Sequence, residues 1–426
     1  DQTFGIADPP HFAVVQQNKG SKLPKDNKSW SQEIALDVEW AHAIAPGANI
    51  ALIEALNPSE LVSAINYARN QSIVSVISMS LSANEDKQEP LADSLFTTPG
   101  GHIGETFVVA SGDGGAKPQY PSSSPNVLSI GGSTLNVAWN GDWYRAGETA
   151  WSGGGGGVSK FEGVPSFQNG LGLTSRGTPD VSYDGNPQSG FAVYDSFGSN
   201  GWAQIGGTSA GAPQWAALLA IADQGRVLNG MSSLGNAQAA LYSMPSTDFF
   251  DVTVGSNSKT SFAHAGYDTA TGLGSPNANL LIPDLVAFSG STDFYISAIP
   301  QPTKKGKSST KPLKAQAFAS QDTVPDAINL HGGDGRAASP ASVWTTRDSV
   351  TMARVSYWES IGPWAASDSY ADTVVDSVWS TGSIRPHGWN ELDGRHRALD
   401  KAPDASHQGF DAFFADLMTS PVASRI

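Results

Sequence analysis

The chain has 426 residues, a formal net charge of -15 and a pI of about 4.8. The acidic balance argues against a nucleic-acid partner, and no apolar run approaches the roughly 18 residues that a membrane span needs. The absence of cysteine excludes disulfides, thiolate metal sites and a cysteine nucleophile. Hydrophobic residues make up 39%, enough for a sizeable core, and the 46 glycines point to many turns and close backbone approaches. The opening DQTFGIADPP has neither a basic nor an apolar stretch of the kind that forms a signal peptide.

From Trp30 to about Gln224 the pattern alternates helix and strand. Residues 31–45 read as a helix, with Ser29 and Gln32 as a capping box and Pro46-Gly47 as its stop. An apolar run follows at 48–55, then a helix signal at 59–69 with Leu61, Val62, Ile65 and Ala68 on one face. SIVSVISMS (72–80), FVVASG (107–112) and NVLSIGG (126–132) are apolar and mostly β-branched. Such strands alternating with helices predict an α/β fold, a parallel sheet covered on both faces. Near residue 290 the composition changes. A stretch with Pro, Ser and five lysines reads as a linker over 293–323, followed by a weakly periodic extension over 324–426. Within it, Phe410, Phe413, Phe414 and Leu417 have the spacing of a short amphipathic helix packing on its own domain.

Three segments carry chemistry. In IGGTSAGAPQWAALLAIADQ (205–224) a Gly-Gly-Thr-Ser turn runs into an apolar helix, which puts Ser209 at the helix N-terminus. The helix dipole and free amides there favour negative charge, a suitable seat for a nucleophile that forms an oxyanion. The plainer alternative is an N-cap serine. Glu33 and Asp37 stand at i and i+4 on one helix face. Two carboxylates there repel unless they share a proton, and a shared proton suits a base that accepts from a serine hydroxyl. The plainer alternative is a solvated acidic face. Asp113 follows the apolar strand ending in SGDGG, just beyond a strand C-terminus, where parallel sheets place their sites. Alone it is an Asp in a glycine turn. None of the eight histidines lies in a His-Gly-Thr-type segment, and His42 reads as structural.

Together the three segments resemble the sedolisin family of serine-carboxyl peptidases, over roughly residues 12–290. EIALDVEWAHAIAPGANI, YPSSSPNVLSIGGST, WSGGGGGVS, PDVSYDGNP and GYDTATGLGSPN agree as well. The resemblance implies a subtilisin-like fold and hydrolysis of polypeptides at acidic pH. It assigns Ser209 as nucleophile, Glu33 as base, Asp37 as its support and Asp113 as the oxyanion stabiliser. It also implies one calcium ion held by the carboxylates of Asp251 and Asp268 and the main-chain oxygens of Val252, His264 and Gly266, an all-oxygen set suited to a hard cation. His264 and Tyr267 stand where the family usually has Gly and Trp. Further expectations are a monomer in an extracellular or other acidic compartment, and a prodomain in a longer precursor. The family's first core strand has no counterpart ahead of DQTFGIADPP, so the chain reads as a fragment, a processed form or a mis-started reading frame. A subtilisin-like Asp-His-Ser peptidase and a calcium-stabilised scaffold without activity are the competing readings.

Overall fold

A computed structural model describes residues 1, 3–16, 25–56 and 60–290. The linker, the extension and the Phe410–Leu417 helix therefore lie outside the described residues.

In chain order the first half runs β1 (Phe12–Gln16), α1 (Lys28–Ile44), β2 (Ile50–Glu54), α2 (Leu61–Arg69), β3 (Val76–Met79), β4 (Ala83–Asn84), β5 (Thr106–Ala110) and β6 (Gln119–Tyr120). Next come β7 (Leu128–Trp139), β8 (Trp143–Ala150), β9 (Gly157–Val158), β10 (Gly177–Thr178), β11 (Val181–Asp184), β12 (Phe191–Asp195) and β13 (Gly201–Ile205). The last elements are α3 (Thr208–Leu228), α4 (Ala237–Leu241), β14 (Phe249–Phe250), β15 (Ser275–Pro276) and α5 (Ala278–Ala287).

The main sheet has the order β11-β7-β5-β3, all parallel, with β8 folded back antiparallel on β7. The alternation of a pleated strand sorts its two faces. Val108 and Ala110 of β5, with Leu128, Ile130 and Val181, pack against α3 and α5. Phe107 and Val109, with Ile77 and Met79, pack against Ile65 and Ala68 of α2. The predicted α/β sheet, covered on both faces, is thus present, with an antiparallel strand that its apolar runs did not announce.

Helix α3 is buried along most of its length, including Trp215 and Leu219 at 0% exposure, which matches a helix apolar on all sides. It packs on α1, and that contact fixes the geometry of the site. Helix α1 begins earlier than its sequence suggested. Its N-cap is Asn27, whose side chain accepts from the amides of Ser29 and Trp30. Ser29 and Gln32 form no capping box: both lie inside the helix, and the Gln32 amide donates to Ser199 at 2.6 Å. Strand β1 was not foreseen; FAVVQ pairs in parallel with β2, Phe12 opposite Ile50.

Candidate active site

Three segments converge on one small pocket lined by Ser80, Leu81, Ser82, Gly112, Asp113 and Ser209, among others. Ser80–Ser82 follow β3, and Gly112 and Asp113 follow β5, so the pocket lies beyond the C-terminal ends of neighbouring parallel strands. Ser209 is the second residue of α3 and is 5% exposed. Gly207, the N-cap, has a φ of 109°, and a Cβ there would stand 2.6 Å from Asp113 Oδ2. Glycine is therefore required on both counts: backbone conformation and the close approach of a carboxylate.

The structure brings Glu33, Asp37, Asp113 and Ser209 together. Burial pushes the Glu33 carboxyl up to about 7; the hydroxyls of Ser209 and Ser80 pull it down, and the nearby Asp113 pushes it up. Glu33 Oε1 is buried without a partner. Burial also holds Asp37 well above the ordinary carboxylate range, reinforced by Glu33. Ser80 donates to Asp37 Oδ1 at 2.6 Å and lies 3.4 Å from the Ser209 carbonyl oxygen. Two neighbouring carboxyl groups, both raised by burial and Asp37 also by Glu33, behave as one acid–base unit that retains a proton into the neutral range.

Asp113 is raised by burial and held down by Thr208, whose amide and hydroxyl both donate to its Oδ1 at 2.8 Å. The Thr208 hydroxyl in turn accepts from the Gly112 amide at 3.0 Å. Asp113 is thereby locked against the first turn of α3 with Oδ2 left outside these bonds. Ser80 and Thr208 are functional neighbours that the sequence reading did not single out. Each carried a signal: Ser80 ends the SIVSVISMS strand, and Thr208 belongs to the GTS turn. No histidine lines the pocket. His42 is buried, its Nε2 2.8 Å from the Ala7 carbonyl oxygen, as a structural residue.

The five residues expected to hold calcium also share one loop cluster. Asp251 Oδ2 accepts from the Gly266 amide at 2.9 Å, and Asp268 Oδ2 accepts from the His264 amide at 3.0 Å. Asp268 Oδ1 is taken up by the amides of Ala270 and Thr271. Among the described residues no group of three or more His, Cys, Asp or Glu side chains has metal-holding geometry. An ion here would depend on two carboxylates and the loop's carbonyl oxygens.

Comparison with known proteins agrees with this geometry. The model of the subtilase family (Peptidase_S8) matches residues 24–242, a span that contains all four residues of the site. The chain is 32% identical over 309 residues to kumamolisin of Bacillus sp. (strain MN-32), covering 64% of this chain and 54% of that protein. It is 32% identical over 253 residues to sedolisin of Pseudomonas sp. (strain 101), covering 50% and 41%. It spans about half the length of these curated relatives. The solved structure of Pseudomonas sedolisin, a serine-carboxyl proteinase complexed with two molecules of pseudo-iodotyrostatin, superposes with a TM-score of 0.56 at 28% identity, covering 67% of this chain and 86% of that one. The chain belongs to the subtilase family, and it is similar to kumamolisin and to the serine-carboxyl proteinase sedolisin.

Proposed function

We propose that the protein hydrolyses peptide bonds in acid through an acyl-enzyme on Ser209. The observation that carries this reading is the seating of a helix-terminal serine among three buried carboxyl groups, with no histidine in the pocket. Ser209 Oγ attacks the carbonyl carbon while its proton passes to Glu33. Asp37, bridged through Ser80, stabilises the Glu33 carboxyl as it gains that proton. Asp113 in its protonated form donates to the oxyanion, the role an amide plays in a neutral-pH peptidase. Collapse of the tetrahedral intermediate breaks the C–N bond, and Glu33 returns the proton to the departing amine. Water then repeats the sequence: it attacks the acyl carbon, gives its proton to Glu33 and releases Ser209.

A carboxyl pair that keeps one proton between its two members still offers Ser209 an accepting oxygen at a pH where Asp113 is protonated, which a lone histidine does not. The same logic accords with an extracellular or other acidic compartment. Labelling by a fluorophosphonate tests the nucleophile directly. Modification of Ser209, together with cleavage of an unfolded protein that is fastest below pH 7, is the expected result. An optimum above pH 7 with Glu33→Ala still active would refute the mechanism.

The oxygen-rich cluster at Asp251, Val252, His264, Gly266 and Asp268 fits one calcium ion, whose contribution is to stabilise the folded loop. Asp268 is raised by burial, and a bound cation would favour its charged form. Removing calcium with excess chelator should lower the melting temperature by several degrees, since an ion at 100 times its Kd adds about 2.7 kcal/mol. An unchanged melting temperature would count against the site.

A further inference from the structure

A second cavity, of about 340 Å³, opens against the later half of β7 and the C-terminal end of β11, the next two strands of the sheet. That volume is within the range of small ligand pockets. Its wall includes Leu135, Asn136 and Val137 of the β7 extension, Asp184 at the end of β11, and Gln188 and Ser189 just after it. The strand order places the two cavities on neighbouring strands, the first beyond β3 and β5, the second along the later half of β7 and at the end of β11.

Register sets the spacing. Ala110 is level with Ile130, and Ile130 with Val181. Asp113 and Asp184 each lie three residues past those level positions. Two strand spacings separate β5 from β11, about 10 Å, the reach of about three residues of extended chain. The connection is direct. Gly207, whose Cα faces Asp113, donates its amide to the Gly185 carbonyl at 2.6 Å, and Gly185 follows Asp184.

Asp184 is 3% exposed. Its Oδ1 accepts from the Leu135 amide at 3.2 Å and from the Ser189 hydroxyl at 2.7 Å. Its Oδ2 has no partner. A buried carboxyl oxygen without a partner, in the wall of an open polar cavity, is a group waiting for one. Burial raises this carboxyl to about 6, with Glu148 adding to the rise, while Ser189 and the backbone amides pull it down. In acid it therefore carries a proton, and with Oδ1 already accepting two bonds that proton sits on Oδ2.

We infer that this cavity receives the leaving side of the substrate, and that Asp184 selects there a side chain bearing a carbonyl oxygen, as in Asn or Gln, at the second or third residue after the scissile bond. The inference rests on the peptidase reading of Ser209 and extends it to substrate choice. Thr134, whose hydroxyl accepts from the Asn186 side chain, and Gln188 supply further polar wall for the rest of that side chain.

The test uses the full chain at acidic pH and two substrate sets with the same acyl part. One set carries a small chromogenic leaving group; the other carries peptides with Gln, Asn, Leu or Ala at each of the first three leaving positions. Gln or Asn should raise kcat/KM about tenfold over Leu at position two or three, the size of one hydrogen bond. Asp184→Ala should erase that preference, and Asp184→Asn, which retains a donor, should keep it. Val137→Trp, at an exposed wall position, should fill the cavity and erase the preference without touching the Asp184 bonds. None of the three should alter cleavage of the chromogenic set. If the wild type cleaves the chromogenic set but shows no leaving-side preference, the inference is overturned and the peptidase reading stands. A wild-type preference that persists unchanged in Asp184→Ala would also overturn it. Failure of the wild type on both sets would overturn the peptidase reading itself, and this inference with it.

Discussion

Two groups of buried carboxyls stand on this fold, and they differ in what surrounds them. In the first, Glu33, Asp37 and Asp113 meet the hydroxyls of Ser80, Thr208 and Ser209 around an open pocket. In the second, Glu89, Asp93 and Glu162 pack around Tyr120, away from any nucleophile. Glu89 is 0% exposed and accepts from the Asp86 amide and the Ser123 hydroxyl. Tyr120 donates to Asp93 at 3.3 Å, and Asp93 and Glu162 share a hydrogen bond. The nearest guanidinium, Arg176, is committed to Asp180 by two bonds of 2.7 and 2.6 Å. Neither group has a cation of its own, and burial raises both. Burial alone therefore does not mark a catalytic carboxyl; hydroxyls stand in both groups, and the distinguishing feature is that those of the first line an open pocket.

Mutation should separate the two groups, and the largest effects belong to the first. Ser209→Ala and Glu33→Ala should each reduce turnover by about 10³ or more, and the double variant should lose little beyond that, because residues acting as one unit are not additive. Steady-state assays at the acid optimum read this directly. Glu162→Gln should leave that rate unchanged. A comparable loss in Glu162→Gln would erase the distinction drawn between the groups.

Asp113→Asn sharpens the comparison within the first group. The amide keeps a donor for the oxyanion but does not titrate, so the rate should fall by about 10² while the alkaline limb of the pH–rate profile flattens. What is left of that alkaline limb should report loss of the proton shared by Glu33 and Asp37, near the value of about 7 to which Glu33 is raised. An alkaline limb identical to that of the wild type would remove Asp113 from the oxyanion role.

How much of this was legible in the sequence follows from range. The helix carrying Glu33, the strand before Asp113 and the turn before Ser209 each declare themselves locally, by period or by glycine. Their meeting point does not, because α1 touches α3 across more than 160 residues of chain, and its Ser31 bonds Asp195 of β12 from as far away. Ser80 and Thr208 were passed over because a serine after a strand and a threonine before a helix have ordinary local explanations. Strand β1 was missed since FAVVQ is short and mostly exposed; it exists through its pairing with β2. The Asn27 cap was missed because Ser29 and Gln32 imitate a capping box that starts two residues later. The second carboxyl group was wholly invisible: Glu89, Asp93 and Glu162 come from three separate segments without a shared pattern.

That second group yields the smallest and most specific prediction. Burial raises Glu162 to about 9 and Glu89 to about 8, from an ordinary value of 4.5, with neighbouring carboxyls adding to both. Between about pH 4.5 and 9 the folded state thus holds protons that the unfolded chain has released. Stability from these groups is fully present below pH 4.5 and declines as pH rises through the window, by up to about 1.4 kcal/mol per pH unit for each proton. Gln in place of Glu162 cannot ionise, and its amide can still donate to Asp93. At pH 4 the variant and the wild type should melt at nearly the same temperature. At pH 8 the variant should melt higher by up to roughly 10–20 °C, since the wild type has by then lost at most about 5 kcal/mol through Glu162 and 1 kcal/mol shifts a domain of this size by roughly 2–4 °C. Thermal melts across pH 4–8 give the slope directly. Glu33→Gln serves as the contrast: its share of the slope should end near pH 7, where its own raised carboxyl titrates. If Glu162→Gln keeps the wild-type slope up to pH 8, the second group is already ionised in the folded protein, and its resemblance to the first is one of burial only.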